Sequence, residues 1–560
     1  MNFDYPWQFT GRRSAVMARN GAVATSHPLA ARTGVRVLED GGNAADAAVA
    51  VAAVLNVVEP HMTGIGGDAF ALVHSEGDVT ALNASGGAPA AADIDDYRER
   101  TDATEDGEPV VPADGGLPVT TPGALDGWHR LTDWFGTREF GDLLGPAIDY
   151  AREGVPVSEW IARQWAGAAS RFRQFDATSE TFLHDGDAPE VGETFRNPTL
   201  AETFETVAEE GIGAFYGGEI GEAVVQRVQE HGGTLELSDL EAHEGEWTDP
   251  VSTEYRGVEV LEHPPNGQGT VALEALNVAS AFDLPDDPTD PDRLHHLIEA
   301  TKIGFADGYE YISDPDEADI PLDRMLSPEY GHDRAGEVGH RADTYDPKAG
   351  LDWAGGTVGR ATEPGDPTAG DGPAPDNTVY LTVVDGDGMA VSLINSVYMS
   401  FGSALTAAGF ALQNRGHSFS LDPTHNNCLA PEKRPFHTII PAMLREDGEF
   451  RASWGVMGGS MQPQGHLQVV ANLTDGLNPQ AALDAPRFRW LEGQRVALET
   501  NRIPESVVTN LRGRGHRVVE EDEFFDAGGH WGGGQIVYRD SDGTLIAGSD
   551  PRRDGAAMGF

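Results

Sequence analysis

The order of apolar and polar positions divides the chain near residue 376. Before it, apolar residues recur mostly at the three-to-four spacing of a helix with one buried face. That spacing predicts helices over 29–38, 44–58, 124–135, 143–153, 200–210, 219–231 and 294–311. Gly41-Gly42 closes the first, and Asn43 caps the second. Asp46 then falls at the third helical position, where a carboxylate favours the helix N-terminus, and Glu59-Pro60 ends the run. Short β-like runs at 70–74 and 258–262 interrupt the helices. Beyond residue 376, β-like runs dominate: 380–384, 389–397, 409–412, 439–444, 451–456 and 534–538, with one helical pattern at 462–473. A mainly helical first part and a strand-rich second part predict one α+β body rather than two independent domains.

The boundary is the most informative stretch. Residues 349–376 are rich in Gly, Pro and Asp and read as a surface loop. Thr378 opens a β run directly after it, and the turn Asp385-Gly386-Asp387-Gly388 returns the chain into the next run. A threonine there is usually a β-branched strand former. It also suits a nucleophile freed as a new N-terminus by a cut in front of it, because a Thr with a free α-amine carries its own base.

Composition narrows the function classes. The 560 residues hold 91 Asp+Glu against 38 Lys+Arg, a formal net charge of −53. Lysine occurs only at Lys302, Lys348 and Lys433. With 39% hydrophobic residues the chain is too apolar for an acidic disordered protein. A globular protein with a solvated acidic surface fits, and its self-repulsion is screened by salt, so a salt-loving source is expected. The same charge argues against nucleic acid and against an anionic membrane surface. The single cysteine, Cys428, rules out an internal disulfide. The apolar run 44–58 contains Asp46 and Asn56 and is too short to span a bilayer. The first 24 residues show no apolar signal-peptide core, and the expected location is cytoplasmic.

Two other chemistries are weighed and set aside. Gly64-Ile65-Gly66-Gly67 lacks the strand–GxGxxG–helix context of a phosphate loop. His295, His296, His417, His437, His466 and His530 show no metal-ligand spacing, so no metal and no cofactor are expected.

Several motifs together resemble the γ-glutamyltransferases within the N-terminal-nucleophile hydrolases. They are Val23 through Ala30, Gly41-Gly42-Asn43-Ala44-Ala45-Asp46-Ala47-Ala48, and Val58-Glu59-Pro60-His61-Met62-Thr63-Gly64-Ile65-Gly66-Gly67. Further on come Pro264-Pro265-Asn266-Gly267-Gln268-Gly269, Ala306-Asp307, Asp314-Pro315-Asp316, Asn377-Thr378, Lys433-Arg434-Pro435, Gly458-Gly459-Ser460 and Ser549-Asp550-Pro551-Arg552. The resemblance spans nearly the whole chain. It implies a four-layer αββα fold and self-cleavage between Asn377 and Thr378. The products would be a large subunit 1–377 and a small subunit 378–560 that stay together, with further oligomerisation open.

The resemblance also implies roles. Thr378 is the nucleophile, Ser396 orients it, and the backbone N–H groups of Gly458 and Gly459 face the oxyanion. Thr438 lies beside them. The substrate is a small-molecule amide, split through an acyl-enzyme.

The chain departs from the family where the glutamyl group is held. Ser85 stands at the position of the arginine that binds the α-carboxylate. Arg415 and Ser418 stand at two acidic positions that bind the α-amine. His437-Thr438 replaces a Ser-Ser pair, and Tyr398 replaces an Asn. An inward-facing Arg415 would repel an ammonium and favour an acyl group bearing a carboxylate or no charge, and these departures resemble the divergent branch that includes cephalosporin-acylase-like proteins. An outward-facing Arg415 would pair with surface carboxylates instead. The connection 420–432 is shorter than the lid of many family members, which favours hydrolysis over transfer. Two alternatives stand beside an amide hydrolase of this branch. One is a true glutathione hydrolase or γ-glutamyltransferase with a rearranged clamp, and the other is an unprocessed homologue that only binds.

Overall fold

A computed structural model describes residues 13–105, 107–342, 347–351, 376–526 and 529–560. Most of the Gly/Pro/Asp-rich stretch, 352–375, lies outside the described residues, as does the side chain of Asn377.

Two seven-stranded sheets carry the body. One runs Ala556–Gly559, Gly21–Thr25, Asp376–Asp385, Ala390–Met399, Asp68–Ser75, Asp78–Ala84, Glu246–Thr248. The other runs Val16–Ala18, Leu545–Ser549, Gly533–Arg539, Glu449–Met457, Ala442–Glu446, Val258–Glu262, Val251–Tyr255. Every neighbouring pair in both is antiparallel. The sheets face each other through small and branched residues such as Ala22, Ala24, Leu72, Val384, Met443 and Ala547. Helices Pro28–Glu39, Ala44–Val58 and Ala124–Phe135 cover the outer face of the first sheet. Gly269–Ala279, Met461–Thr474 and Pro479–Asp484 cover the second. The result is the expected four-layer αββα sandwich.

Each sheet contains strands from before and from after the Asn377–Thr378 bond. Asp376–Asp385, for example, lies between Gly21–Thr25 and Ala390–Met399. The two parts therefore share one core rather than forming separate domains.

Local signals hold where they were strongest. Asn43 and Asp46 form a reciprocal capping box at the start of Ala44–Val58. The helix Gly269–Ala279 has no one-sided pattern because all of its residues are buried. The run 439–444 becomes strand only from Ala442. Pro441 has no N–H to give a ladder, and the backbone at His437 is bonded instead to Asn266 and Gln268. The run 409–412 shrinks to the short strand Phe410–Ala411, paired with Thr406–Ala407. Among the described residues no helix is long and apolar enough to cross a membrane.

Candidate active site

Thr378 lies near the start of a central strand. Alternation puts it on the same face as Tyr380 and Thr382. That face meets the other sheet: Thr382 Oγ1 donates to Ser453 Oγ at 2.6 Å. Asn377 pairs with Tyr398 and Val379 with Asn395, so Thr378 stands opposite two residues, Ser396 and Val397. This is a β-bulge, which bends the ladder and re-aims a side chain. Across it Thr378 Oγ1 donates to Ser396 Oγ at 3.1 Å. Thr378 is buried and the strand runs unbroken through Asn377.

Ser396 is the hub of the hydroxyl cluster. Its Oγ also accepts from Tyr398 N–H at 2.8 Å and from Arg415 Nη2 at 3.5 Å. Tyr398 has a left-handed backbone, φ 74°, unusual for a bulky residue and typical of functional turns. Arg415 faces inward and is fully buried. Its Nη1 donates to Thr438 Oγ1 at 2.9 Å, and its guanidinium lies 4.1 Å from the centre of the Tyr398 ring. Thr378, Ser396, Arg415, Tyr398 and Thr438 thus form one continuous cluster.

Gly458 and Gly459 end the strand Glu449–Met457 and lead into the helix Met461–Thr474. Their φ values are 122° and 50°. A Cβ on Gly458 would sit 2.5 Å from His530 Cε1, so glycine is required there by both space and backbone. The turn stands at the N-terminus of a long helix, where backbone N–H groups and the dipole favour negative charge. Gln268 links it to the hydroxyl cluster: its Nε2 donates to Thr438 O at 2.7 Å and to Gly459 O at 2.9 Å.

Three further expected substrate residues are held by the protein itself. His437 Nδ1 accepts from Ile439 N–H at 3.3 Å, so Nε2 carries the proton and donates to Asp68 Oδ2 at 3.1 Å. Ser418 Oγ bonds the carbonyls of Arg415 and Phe436. Ser85 Oγ donates to Asn83 Oδ1 at 2.7 Å and accepts from Asn266 Nδ2 at 3.3 Å. These side chains brace the walls of the site through bonds to other protein groups. The connection 420–432 folds back on itself, with Ser420 and Leu429 backbones paired to Asn427 and Ser420.

Asp68 and Gln268 received no role from the sequence, although Gln268 sits in the motif Pro264–Gly269 and Asp68 directly follows the motif that ends at Gly67. Asp68 pairs with Ser396 in the neighbouring strand. Its Oδ1 accepts from Gln413 Nε2 at 3.0 Å and from the N–H groups of Gly86 and Gly123 at 3.3 Å. Burial pushes its carboxyl up to about 7 against the opposing pull of Arg415. Burial, then Arg415, holds His437 well below the usual imidazole range, so His437 is neutral.

The remaining histidines are mostly structural. His466 Nε2 accepts from Val456 N–H, and its Nδ1 bonds buried Glu262 at 2.6 Å. His530 Nδ1 accepts from Gly532 N–H. Among the described residues one trio could meet an ion: His295, Glu299 and His516, with donor atoms within 4.8 Å of one another. There His295 and His516 bond each other at 2.8 Å, and the Lys302 ammonium bonds Glu299 at 2.6 Å. A cation would have to displace that ammonium, and the trio has no contact with the Thr378 cluster.

The profile of the γ-glutamyltranspeptidase family matches residues 30–560. The chain belongs to this family. It is accordingly an enzyme of the family's amidohydrolase type. A glutathione hydrolase-like YwrD proenzyme of Bacillus subtilis is 36% identical, over 98% of this chain and 99% of the relative. An oxamate amidohydrolase proenzyme of Klebsiella pneumoniae is 34% identical, over 98% of this chain and all of the relative. The crystal structure of a cephalosporin acylase from Bacillus halodurans superposes with a TM-score of 0.88 at 40% identity, covering 100% of this chain and 99% of that one. Family membership fits the two-sheet architecture.

Proposed function

We propose that the chain is a proenzyme that cuts itself between Asn377 and Thr378 and then hydrolyses a small amide through an acyl-Thr378 ester. The observation that carries this is the 3.1 Å hydrogen bond from Thr378 Oγ1 to Ser396 Oγ across the bulge. The proenzyme names of its relatives support a cut. In the cut, Thr378 Oγ attacks the Asn377 carbonyl, the C–N bond breaks as the ester forms, and the nitrogen takes the hydroxyl proton. Water then opens the ester, leaving an Asn377 carboxylate and a free Thr378 amine and hydroxyl.

In turnover the α-amine, with a reference pKa near ~8, takes the hydroxyl proton and passes it to the departing amine. The turn at Gly458-Gly459 receives the developing oxyanion. Water completes the cycle in preference to an amine acceptor. Arg415 supplies a fixed positive charge beside the nucleophile, favouring an acyl group with a carboxylate over one with an ammonium. The glutathione hydrolase-like relative favours a second reading, a γ-glutamyl enzyme with a rearranged clamp.

Two measurements test the proposal. The intact denatured mass, after incubation in molar salt, should show a fragment beginning at Thr378. Turnover of a γ-glutamyl anilide should fall well below that of an anilide whose acyl group ends in a carboxylate alone. A single uncut species with no turnover would leave a binding homologue, and comparable γ-glutamyl turnover would favour the second reading.

A further inference from the structure

The position of Arg415 sets a length as well as a charge, and the inference drawn from it rests on Thr378 being the nucleophile. Ser396 Oγ lies 3.1 Å from Thr378 Oγ1 and 3.5 Å from Arg415 Nη2, so the latter two atoms are at most 6.6 Å apart. Arg415 is also held in place. Its guanidinium packs on the Tyr398 ring at 4.1 Å and donates to Thr438 Oγ1 at 2.9 Å, while Gln268 fastens the Thr438 backbone to Gly459. Cation–π packing in a buried site resists displacement of the charge.

A substrate must bridge those two atoms. Its reacting carbonyl carbon stands about 3–3.5 Å from the nucleophile, and a carboxylate oxygen about 2.7–2.9 Å from a guanidinium nitrogen. Those contacts consume most of a 6.6 Å span. A bent path leaves room for one or two carbon–carbon bonds of about 1.5 Å each. A glutaryl or γ-glutamyl group places four bonds between its reacting carbonyl carbon and its terminal or α-carboxylate carbon. At about 1.3 Å of advance per bond in an extended chain, its carboxylate overshoots the guanidinium by several ångströms.

We propose that the preferred substrates are monoamides of very short dicarboxylic acids, with the free carboxylate on the reacting carbonyl or one carbon away, read by Arg415. The reaction is ordinary acyl transfer to water: the amide C–N bond breaks, Thr378 carries the acyl group as an ester, and water releases the dicarboxylate and leaves the amine protonated.

The test uses the wild-type chain and a homologous series of 4-nitroanilides: oxalyl, malonyl, succinyl, glutaryl and γ-glutamyl. Mass spectrometry on the same sample reports the Thr378 fragment. The expected result is highest kcat/KM for the oxalyl or malonyl compound and at least a tenfold fall by glutaryl. Oxalate or malonate should also inhibit at lower concentration than glutarate. Arg415→Gln should flatten the length series rather than merely lower every rate. A cut enzyme fastest on glutaryl or γ-glutamyl overturns the short-acid assignment alone. An uncut chain with no turnover overturns the underlying nucleophile reading, and this assignment with it.

Discussion

Asp68 Oδ2 accepts the Nε2 proton of His437 at 3.1 Å, although the two residues are 369 positions apart and both are wholly buried. The bond joins the strand beside Ser396 to the segment that carries Thr438. It explains why the ring of His437 faces the protein rather than a substrate. Asp68 acts here as a positioning residue: through Gln413, Gly86 and Gly123 it gathers three loops around the Thr378 cluster.

Asp68→Asn should therefore loosen the site and change its pH response. An amide turned toward His437 Nε2–H sets donor against donor, at about 1–3 kcal/mol. The folded-state value of Asp68, about 7, lies above the ordinary carboxylate value of 3.8. The folded chain therefore holds a proton that the unfolded chain releases. That stabilisation is present below the ordinary range and is lost as pH rises through about 7. The stability difference between wild type and Asp68→Asn, from urea melts, should shrink across that window. A difference independent of pH would remove Asp68 from the titration.

Thr378→Ala should leave a single 560-residue species on a denaturing gel. Thr378→Ser should still be cut, because the hydroxyl survives. Recovery of the 183-residue fragment (560 less 377) from the alanine variant would show that the cut does not need the Thr378 hydroxyl.

Ser396→Ala should slow both self-cleavage and turnover by about two- to tenfold, the worth of one hydrogen bond to the nucleophile. A time course of fragment appearance and a steady-state rate read the two effects separately. Slowing of one without the other would give Ser396 a role in that step alone.

Gly458→Ala should combine a rate loss with a stability loss. The new methyl meets His530 at 2.5 Å on a backbone with φ 122°. Strain of that kind costs about 1–3 kcal/mol, and a displaced oxyanion donor costs about 10²–10³ in kcat. Wild-type turnover in a folded variant would move the oxyanion site away from this turn.

The net charge of −53 predicts a salt requirement. Thermal melts should rise steadily from dilute buffer to molar potassium chloride, and activity should follow. Equal stability at both ends would contradict the salt-loving expectation.

The sequence by itself determined the local and the linear. Caps and periodicity foretold Ala44–Val58 and seven other helices, because those signals act within a turn or two of the chain, but not Glu159–Phe172 or the shorter helices. The motifs marked Thr378, Ser396 and the Gly458-Gly459 turn as candidates because a nucleophile and a close backbone approach demand particular residue types. The wholly buried helix Gly269–Ala279 carried no such signal, since burial on every side erases the one-faced pattern. Tertiary structure alone decided which way the polar side chains point. Arg415 turned inward onto Tyr398 and Thr438, while His437, Ser418 and Ser85 turned to partners within the walls. A buried polar group settles where its hydrogen bonds are met. For His437 and Ser85 those partners, Asp68 and Asn266, arrive from strands and loops far away in sequence, so no local pattern could have announced the choice.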